Sequence, residues 1–127
     1  MVNTSRVIVD TNFLVDIFRF RLGFEAVDEA LGGRCEYSMV SQSVAELRRL
    51  TAQNGAVGAS FIGSGKIAVV AAGRATEKSA DEAIVELVCK WMPDVVVATN
   101  DEKLRKRVKA LGARTIYLRA RKRLEVS

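Results

Sequence analysis

The sequence contains no histidine, and this absence excludes several classes of active site. Ser-His-Asp and Cys-His nucleophile systems need an imidazole as the general base, and almost every catalytic zinc site uses a histidine ligand. Any hydrolytic chemistry in this protein must therefore rest on carboxylates.

Cysteines and long apolar runs are also scarce. Cys35 and Cys89 are too far apart in sequence to form a CxxC redox motif or a zinc site, so we expect two reduced, buried thiols. No segment approaches the roughly 20 apolar residues of a membrane span, and the first apolar run ends at Asp10, too early for a signal peptide. We therefore expect a soluble, cytoplasmic protein with no membrane partner.

The length and charge of the chain suggest one domain with a basic end. Its 127 residues suffice for a single core, and 49% hydrophobic content argues against disorder, so we expect residues 1–127 to form one domain. The net charge is +5, with a basic C-terminal end from about residue 114. The basic residues of the last quarter are Lys103, Arg105, Lys106, Arg107, Lys109, Arg114, Arg119, Arg121, Lys122 and Arg123. Such a surface suits a polyanion, although a solvated helix face with a basic tail is the alternative.

Apolar strands and amphipathic helices alternate along the chain. The branched runs in "VIVDTNFLVD" and "DVVVAT" are typical of strands that are covered on both faces. This alternation predicts the α/β class, with a three-layer α/β/α sandwich around a mainly parallel central sheet. After the first strand and helix, the predicted order is helix "FEAVDEALGG", strand "CEYSMV", helix "SQSVAELRRL", a loop or short helix, strand "KIAVVAA", helix "SADEAIVELVCKWM", strand "DVVVAT", helix "DEKLRKRVKALGA" and last strand "RTIYLRA".

Four acidic residues stand near the starts of predicted helices. They are Asp10, Glu46, Asp81 and Asp101. In a parallel sheet these helix starts lie along the carboxyl edge, where ligands bind. At about 100° per residue, Asp81 falls about 20° from Val88, at the edge of the apolar stripe, so it should face inward while Glu82 points away.

Each acid also has a local explanation. Asp10 fits a helix N-cap, and Ser43 with Glu46 fits a capping box. Asp101 is spaced to pair with Arg105, and the remaining acid favours the dipole of its helix. All four together favour a shared site, because converging carboxylates raise one another's pKa unless a cation neutralises them. Oxygen ligands without histidine or cysteine select a hard ion, Mg²⁺ or Mn²⁺.

These segments together resemble the PIN domain, the metal-dependent ribonuclease fold of VapC-type toxins and of ribosomal RNA processing endonucleases. The matching segments are "VIVDTNFLVD", "SVAELRRL", "SADEAIVELV" and "VVVATNDEKLRKRVKALGARTIYLRARKRLEV", in the family's order. The resemblance covers nearly the whole chain. Its basic ending is more similar to small archaeal-type proteins related to ribosome processing than to compact toxins.

The resemblance implies hydrolysis of RNA phosphodiester bonds with Mg²⁺ or Mn²⁺ as the cofactor. It gives Asp10, Glu46, Asp81 and Asp101 as metal ligands and catalytic residues, with Asp101 or Asp81 activating the attacking water. The polar neighbours are Thr11, Asn12, Thr99 and Asn100, and the predicted RNA-binding residues are Arg105, Arg119, Arg121, Lys122 and Arg123. The implied partners are RNA, an antitoxin or a ribosomal precursor particle, and a second copy of the chain in a homodimer. The alternative is a PIN-fold domain that binds RNA or a partner without cutting.

Overall fold

The computed structural model describes residues 5–54, 66–71, 79–120 and 123–127, with only the backbone of residues 51–54. Within these ranges the strands are β1 (Ser5–Val9), β2 (Cys35–Val40), β3 (Ile67–Val70), β4 (Val95–Ala98), β5 (Arg114–Arg119) and β6 (Arg123–Val126). The helices are α1 (Thr11–Arg19), α2 (Gly23–Leu31), α3 (Ser41–Asn54), α4 (Ala80–Trp91) and α5 (Glu102–Ala110). The predicted alternation of strands and helices is confirmed for these segments.

The strands form one sheet in the order β3-β2-β1-β4-β5-β6. The first five strands are parallel, and β6 is antiparallel to β5, so the predicted mainly parallel sheet is confirmed. The chain adds strands outward from β1 in one direction and then, from β4, in the other. The carboxyl ends of the neighbouring strands β1 and β4 therefore mark the topological switch point, where ligands bind in open α/β sheets.

Helices cover both faces of the sheet and make the three predicted layers. Val7 and Val9 pack in a core with α1, α2 and α3, whereas Ile8 packs in a second core with α4 and α5. Alternate side chains of a strand point to opposite faces. Both faces of β1 are buried, which explains its uninterrupted apolar run.

The ends of two helices follow the sequence signals. Gly32 terminates α2 in the left-handed conformation, with φ of 82°, and glycine adopts this backbone without the penalty of a Cβ. Helix α4 ends at Trp91, two residues before Pro93. The loop or short helix predicted around Gly55 and Gly65 lies outside the described residues.

The prediction that "RTIYLRA" is the last strand is wrong, because β6 follows it and pairs along its length. Leu124 and Val126 of β6 pack against the core that contains α1, and they alternate with Arg123 and Glu125. This alternation in "RLEV" is a strand signal. The surrounding basic residues masked it, since they favoured the interpretation of a solvated tail.

The expectation of two buried thiols is also wrong for one of them. Cys89 is exposed on α4, one position after the fully buried Val88. Cys35 is half-buried, and burial raises the pKa of its thiol to about 11, so it remains protonated at neutral pH. Among the described helices, none combines the length and the apolar character needed to cross a bilayer.

Candidate active site

Asp10 lies at the switch point of the sheet, at the junction of β1 and α1. Its backbone N–H donates to Ala98 O at 2.9 Å, which ties this junction to the end of β4. The side chain is 5% exposed, and both of its oxygens accept hydrogen bonds. Oδ1 accepts the Thr11 N–H at 2.9 Å and caps α1, while Oδ2 accepts the Thr99 hydroxyl at 2.7 Å. The predicted strand-to-helix junction is confirmed.

Thr99 links two of the predicted acids through one hydroxyl group. Its fully buried side chain donates to Asp10 Oδ2, and the same Oγ1 accepts the Asp101 N–H at 3.1 Å. Its own N–H donates to Ile116 O at 3.1 Å, which holds Thr99 against β5. The Asp10 carboxylate is therefore fixed relative to the backbone of Asp101.

Asp101 caps α5, as its position before the helix predicts. Oδ1 accepts the N–H groups of Lys103 at 2.9 Å and Leu104 at 3.4 Å. The predicted pairing of Asp101 with Arg105 is wrong in the described structure. The Arg105 guanidinium instead donates to Asn100 O at 3.1 Å and lies 4.0 Å from the ring centroid of Tyr117.

Asp81 and Glu82 occupy the environments that the helical phase predicts. Asp81, the second residue of α4, is half-buried, whereas Glu82 is exposed. The Glu82 N–H donates to Ser79 Oγ at 3.2 Å, so Ser79 is the N-cap of this helix. The apolar stripe of α4 therefore turns Asp81, and not its neighbour, toward the sheet.

Glu46 lies half-buried in the second turn of α3. The capping box predicted for Ser43 with Glu46 is wrong, because α3 already begins at Ser41 and Ser43 lies inside the helix. The Ser43 hydroxyl is fully buried and has no partner among the described residues. The local explanation for Glu46 is therefore removed.

The pKa of Asp10 is raised above its ordinary value of 3.8. Burial is the largest cause, and the negative charges of Asp81 and Glu46 raise the pKa further. The hydrogen bonds from Thr99 and Thr11 oppose these effects, because they favour the ionised carboxylate. Asp10 thus lies within electrostatic range of acids from α3 and α4.

The pKa of Asp81 is raised in the same way. Burial is again the largest cause, followed by repulsion from Asp101, while the positive charge of Arg107 lowers the pKa. Together with the effects on Asp10, these interactions bring the four predicted acids into one electrostatic group. Sequence reasoning named Arg107 only as one of many basic residues, because nothing local indicates that it lies near Asp81.

The donor set suits a hard divalent cation, although it is not a closed cage. Among the described residues, no three carboxylates come close enough together to hold one ion. Mg²⁺ is commonly held by one or two carboxylates and keeps several of its waters. The spacing therefore fits an ion held partly through water, and the raised pKa values of Asp10 and Asp81 reflect crowded negative charge that a cation would relieve.

The other predicted polar neighbours serve different purposes. The Thr11 hydroxyl donates to Ser43 O at 3.0 Å and joins α1 to α3, whereas Asn12 is exposed on the first turn of α1. Asn100 turns away from the acids. Its Nδ2 donates to Asp16 Oδ2 at 2.8 Å, and its Oδ1 accepts the Leu118 N–H at 2.8 Å.

The predicted RNA-binding residues are distributed over α5 and the β5–β6 hairpin. Arg119 donates to both carboxylate oxygens of Glu125, at 3.1 and 3.2 Å, and Arg123 is exposed on β6. Arg121 and Lys122 lie outside the described residues. Arg105 has its contacts within the protein, with Asn100 O and the ring of Tyr117, so only part of its guanidinium is left for a phosphate.

Comparisons with known proteins agree with this architecture. A family described as "PIN like domain" matches residues 7–121. The curated protein "Ribonuclease VapC4" of Methanocaldococcus jannaschii is 29% identical over 126 residues, and the alignment covers 95% of each chain. A solved structure titled "Structure of the PIN domain endonuclease Utp24" is similar with a TM-score of 0.82 and 22% identity, over 96% of this chain and 90% of that chain. The structural likeness shows the fold.

Proposed function

Because this chain belongs to the PIN-like domain family, we propose that it is a divalent-metal-dependent endoribonuclease that hydrolyses RNA phosphodiester bonds. The observation that carries the proposal is the electrostatic group formed by Asp10, Glu46, Asp81 and Asp101 at the switch point of the sheet. The names of the curated relative, a ribonuclease, and of the solved structure, an endonuclease, support the same activity.

The cofactor in this proposal is Mg²⁺ or Mn²⁺, with the four acids as its ligands, directly or through water. When bound, the ion would supply positive charge that offsets the carboxylates and stabilises negative charge on the phosphate. Asp10 is the best-fixed ligand, because Thr11 and Thr99 hold its two oxygens. Asp101 has Oδ1 engaged with N–H groups of α5 and would offer its other oxygen.

Asp81 is the better proton acceptor of the two candidates for activating water. Burial and the nearby charge of Asp101 raise the pKa of Asp81, which makes its carboxylate more basic. The water would attack the phosphorus in line, Asp81 would take its proton, and the bond from phosphorus to the leaving oxygen of RNA would break. That oxygen would gain a proton from solvent, so no covalent enzyme intermediate is needed.

A cleavage assay with synthetic single-stranded RNA tests this proposal. We expect cleavage with Mn²⁺ or Mg²⁺ and none with EDTA. Asp10→Asn should abolish cleavage, because a neutral amide is a weak metal ligand, while thermal stability stays level or rises as charge crowding is relieved. Asp94→Asn is the matched control, since Asp94 is an exposed acid at the opposite end of β4. Cleavage by folded Asp10→Asn at the wild-type rate would remove Asp10 from the site.

A non-catalytic PIN-fold domain that binds RNA or a protein partner is the second candidate function. The observation that favours it is the absence of a closed three-carboxylate cluster among the described residues. Metal-independent RNA binding without cleavage under any of the three conditions would identify this function. An antitoxin, a ribosomal precursor particle or a second copy of the chain as partner stays a prediction from the family resemblance.

A further inference from the structure

Asn100 joins three elements around the turn that carries Thr99 and Asp101. Its side-chain amide donates to Asp16 Oδ2 of α1 at 2.8 Å, and its side-chain oxygen accepts the Leu118 N–H of β5 at 2.8 Å. Its backbone oxygen accepts a hydrogen bond from the Arg105 guanidinium of α5 at 3.1 Å. Every polar atom of the Asn100 side chain is therefore engaged with a different element from the one that carries it.

The contact with Leu118 replaces a missing backbone rung of the sheet. In the parallel ladder, the Thr99 N–H donates to Ile116 O, and the Leu118 N–H would next meet a backbone oxygen of β4. Strand β4 has already ended at Ala98, so the Asn100 side chain accepts this N–H instead. A backbone N–H in such a position needs a partner, because leaving it unpaired is costly.

The two residues beside Asn100 are the ones whose positions matter for the site. Thr99 holds the Asp10 carboxylate, and Asp101 receives its own backbone support from the Thr99 hydroxyl. A turn that moved away from β5 or α1 would shift both of them together. We propose that Asn100 is a positioning residue that, by bridging Asp16 and Leu118, sets Thr99 and Asp101 relative to Asp10. This inference rests on the proposed function for its catalytic consequence alone.

The pairing with Asp16 allows a swap experiment. Asn100→Asp would place two carboxylates against each other while keeping an acceptor for Leu118. Adding Asp16→Asn would restore the hydrogen bond with donor and acceptor exchanged. Asn100→Asp with Asp94→Asn is the matched control, because it has the same net charge as the swap but leaves the two carboxylates opposed.

Three measurements follow each variant, well below its melting temperature. They are amide hydrogen exchange at Asp101 by NMR with β1 amides as the reference, Mn²⁺ affinity by calorimetry, and kcat and KM for RNA cleavage. For Asn100→Asp we expect faster exchange at Asp101, weaker Mn²⁺ binding, and a loss in kcat of about tenfold or more with a smaller change in KM, as for a misplaced catalytic group. The swap should recover most of each loss, and the charge-matched control should not.

Other results would overturn the inference. Unchanged exchange at Asp101 and unchanged Mn²⁺ affinity in Asn100→Asp would leave Asn100 with a purely structural role. Equal recovery by the control and the swap would reduce the effect to net charge. If Asn100→Asp does not fold, Asp16→Ala, which removes only the acceptor on α1, must speed exchange at Asp101 for the inference to stand. A wild-type protein that neither binds Mn²⁺ nor cuts RNA would refute the proposed function, while exchange at Asp101 still decides the role of Asn100.

Discussion

The Thr99 hydroxyl offers a sharp test of how the site is held together. Thr99→Val keeps the shape of the side chain but removes the donor to Asp10 Oδ2 and the acceptor for the Asp101 N–H. A hydrogen bond to a charged group contributes about 1.5–3 kcal/mol, and an unpaired N–H costs about 1 kcal/mol more, so the variant should lose about 2–4 kcal/mol. Thr99→Ser keeps the hydroxyl and loses one methyl group, which costs about 1 kcal/mol.

The loss in Thr99→Val should also depend on pH, because the Thr99 hydroxyl lowers the pKa of Asp10. The folded pKa of Asp10 is already above the ordinary value of 3.8, so ionisation of Asp10 destabilises the native state and stability falls as pH rises through this window. Valine raises this pKa further. The gap in stability between Thr99→Val and the wild type should therefore be largest at neutral pH and narrow as pH falls toward 3.8, where Asp10 is protonated in both states.

Urea unfolding of wild type, Thr99→Val and Thr99→Ser at pH 7 and pH 4 measures both effects. We expect the order wild type, serine variant, valine variant at pH 7, with the valine variant closer to the others at pH 4. A valine variant as stable as the serine variant at pH 7 would refute the role assigned to the hydroxyl. A gap that widens in acid would refute the assigned cause of its pH dependence.

Two further variant pairs test the acids of α4 and the basic hairpin. Asp81→Asn should weaken both Mn²⁺ binding and RNA cleavage, whereas Glu82→Gln should cost at most about 1 kcal/mol of stability, because Ser79 caps the Glu82 N–H and Glu82 itself is exposed; calorimetry and cleavage rates would show the reverse if the helix phase were misread. Replacing Arg119 and Arg123 with glutamine should lower the salt dependence of RNA binding by roughly 1.4 in slope, about 0.7 for each lost phosphate contact with a single strand, with Mn²⁺ affinity unchanged; an unaltered slope would mean that these side chains are merely solvated.

The basic C-terminal end shows how one local pattern supported two structures. A row of arginine and lysine residues is typical of a solvated tail, and this interpretation hid the short alternation of Leu124 and Val126. The antiparallel pairing of β6 depends on an available edge of β5 and on apolar contacts with the core that contains α1. Neither condition can be read from four residues alone.

The sequence by itself determined the elements and the approximate positions of the acids. Branched apolar runs mark strands that are buried on both faces, and Asp10, Asp81 and Asp101 all occur where such strands or apolar helical stripes begin or end. Helical phase was sufficient to separate Asp81 from Glu82, because a stripe that packs on a sheet orients each residue of the helix.

The tertiary structure alone decided which of these residues meet. Asp10 and Thr99 are 89 residues apart and become partners only because β1 and β4 are neighbours in the sheet. Asp16 and Asn100, 84 residues apart, meet because β4 ends one rung before β5 requires it to. Periodicity reports how each segment is buried, but a hydrogen bond between distant segments depends on strand order and register, which arise only when the whole chain packs.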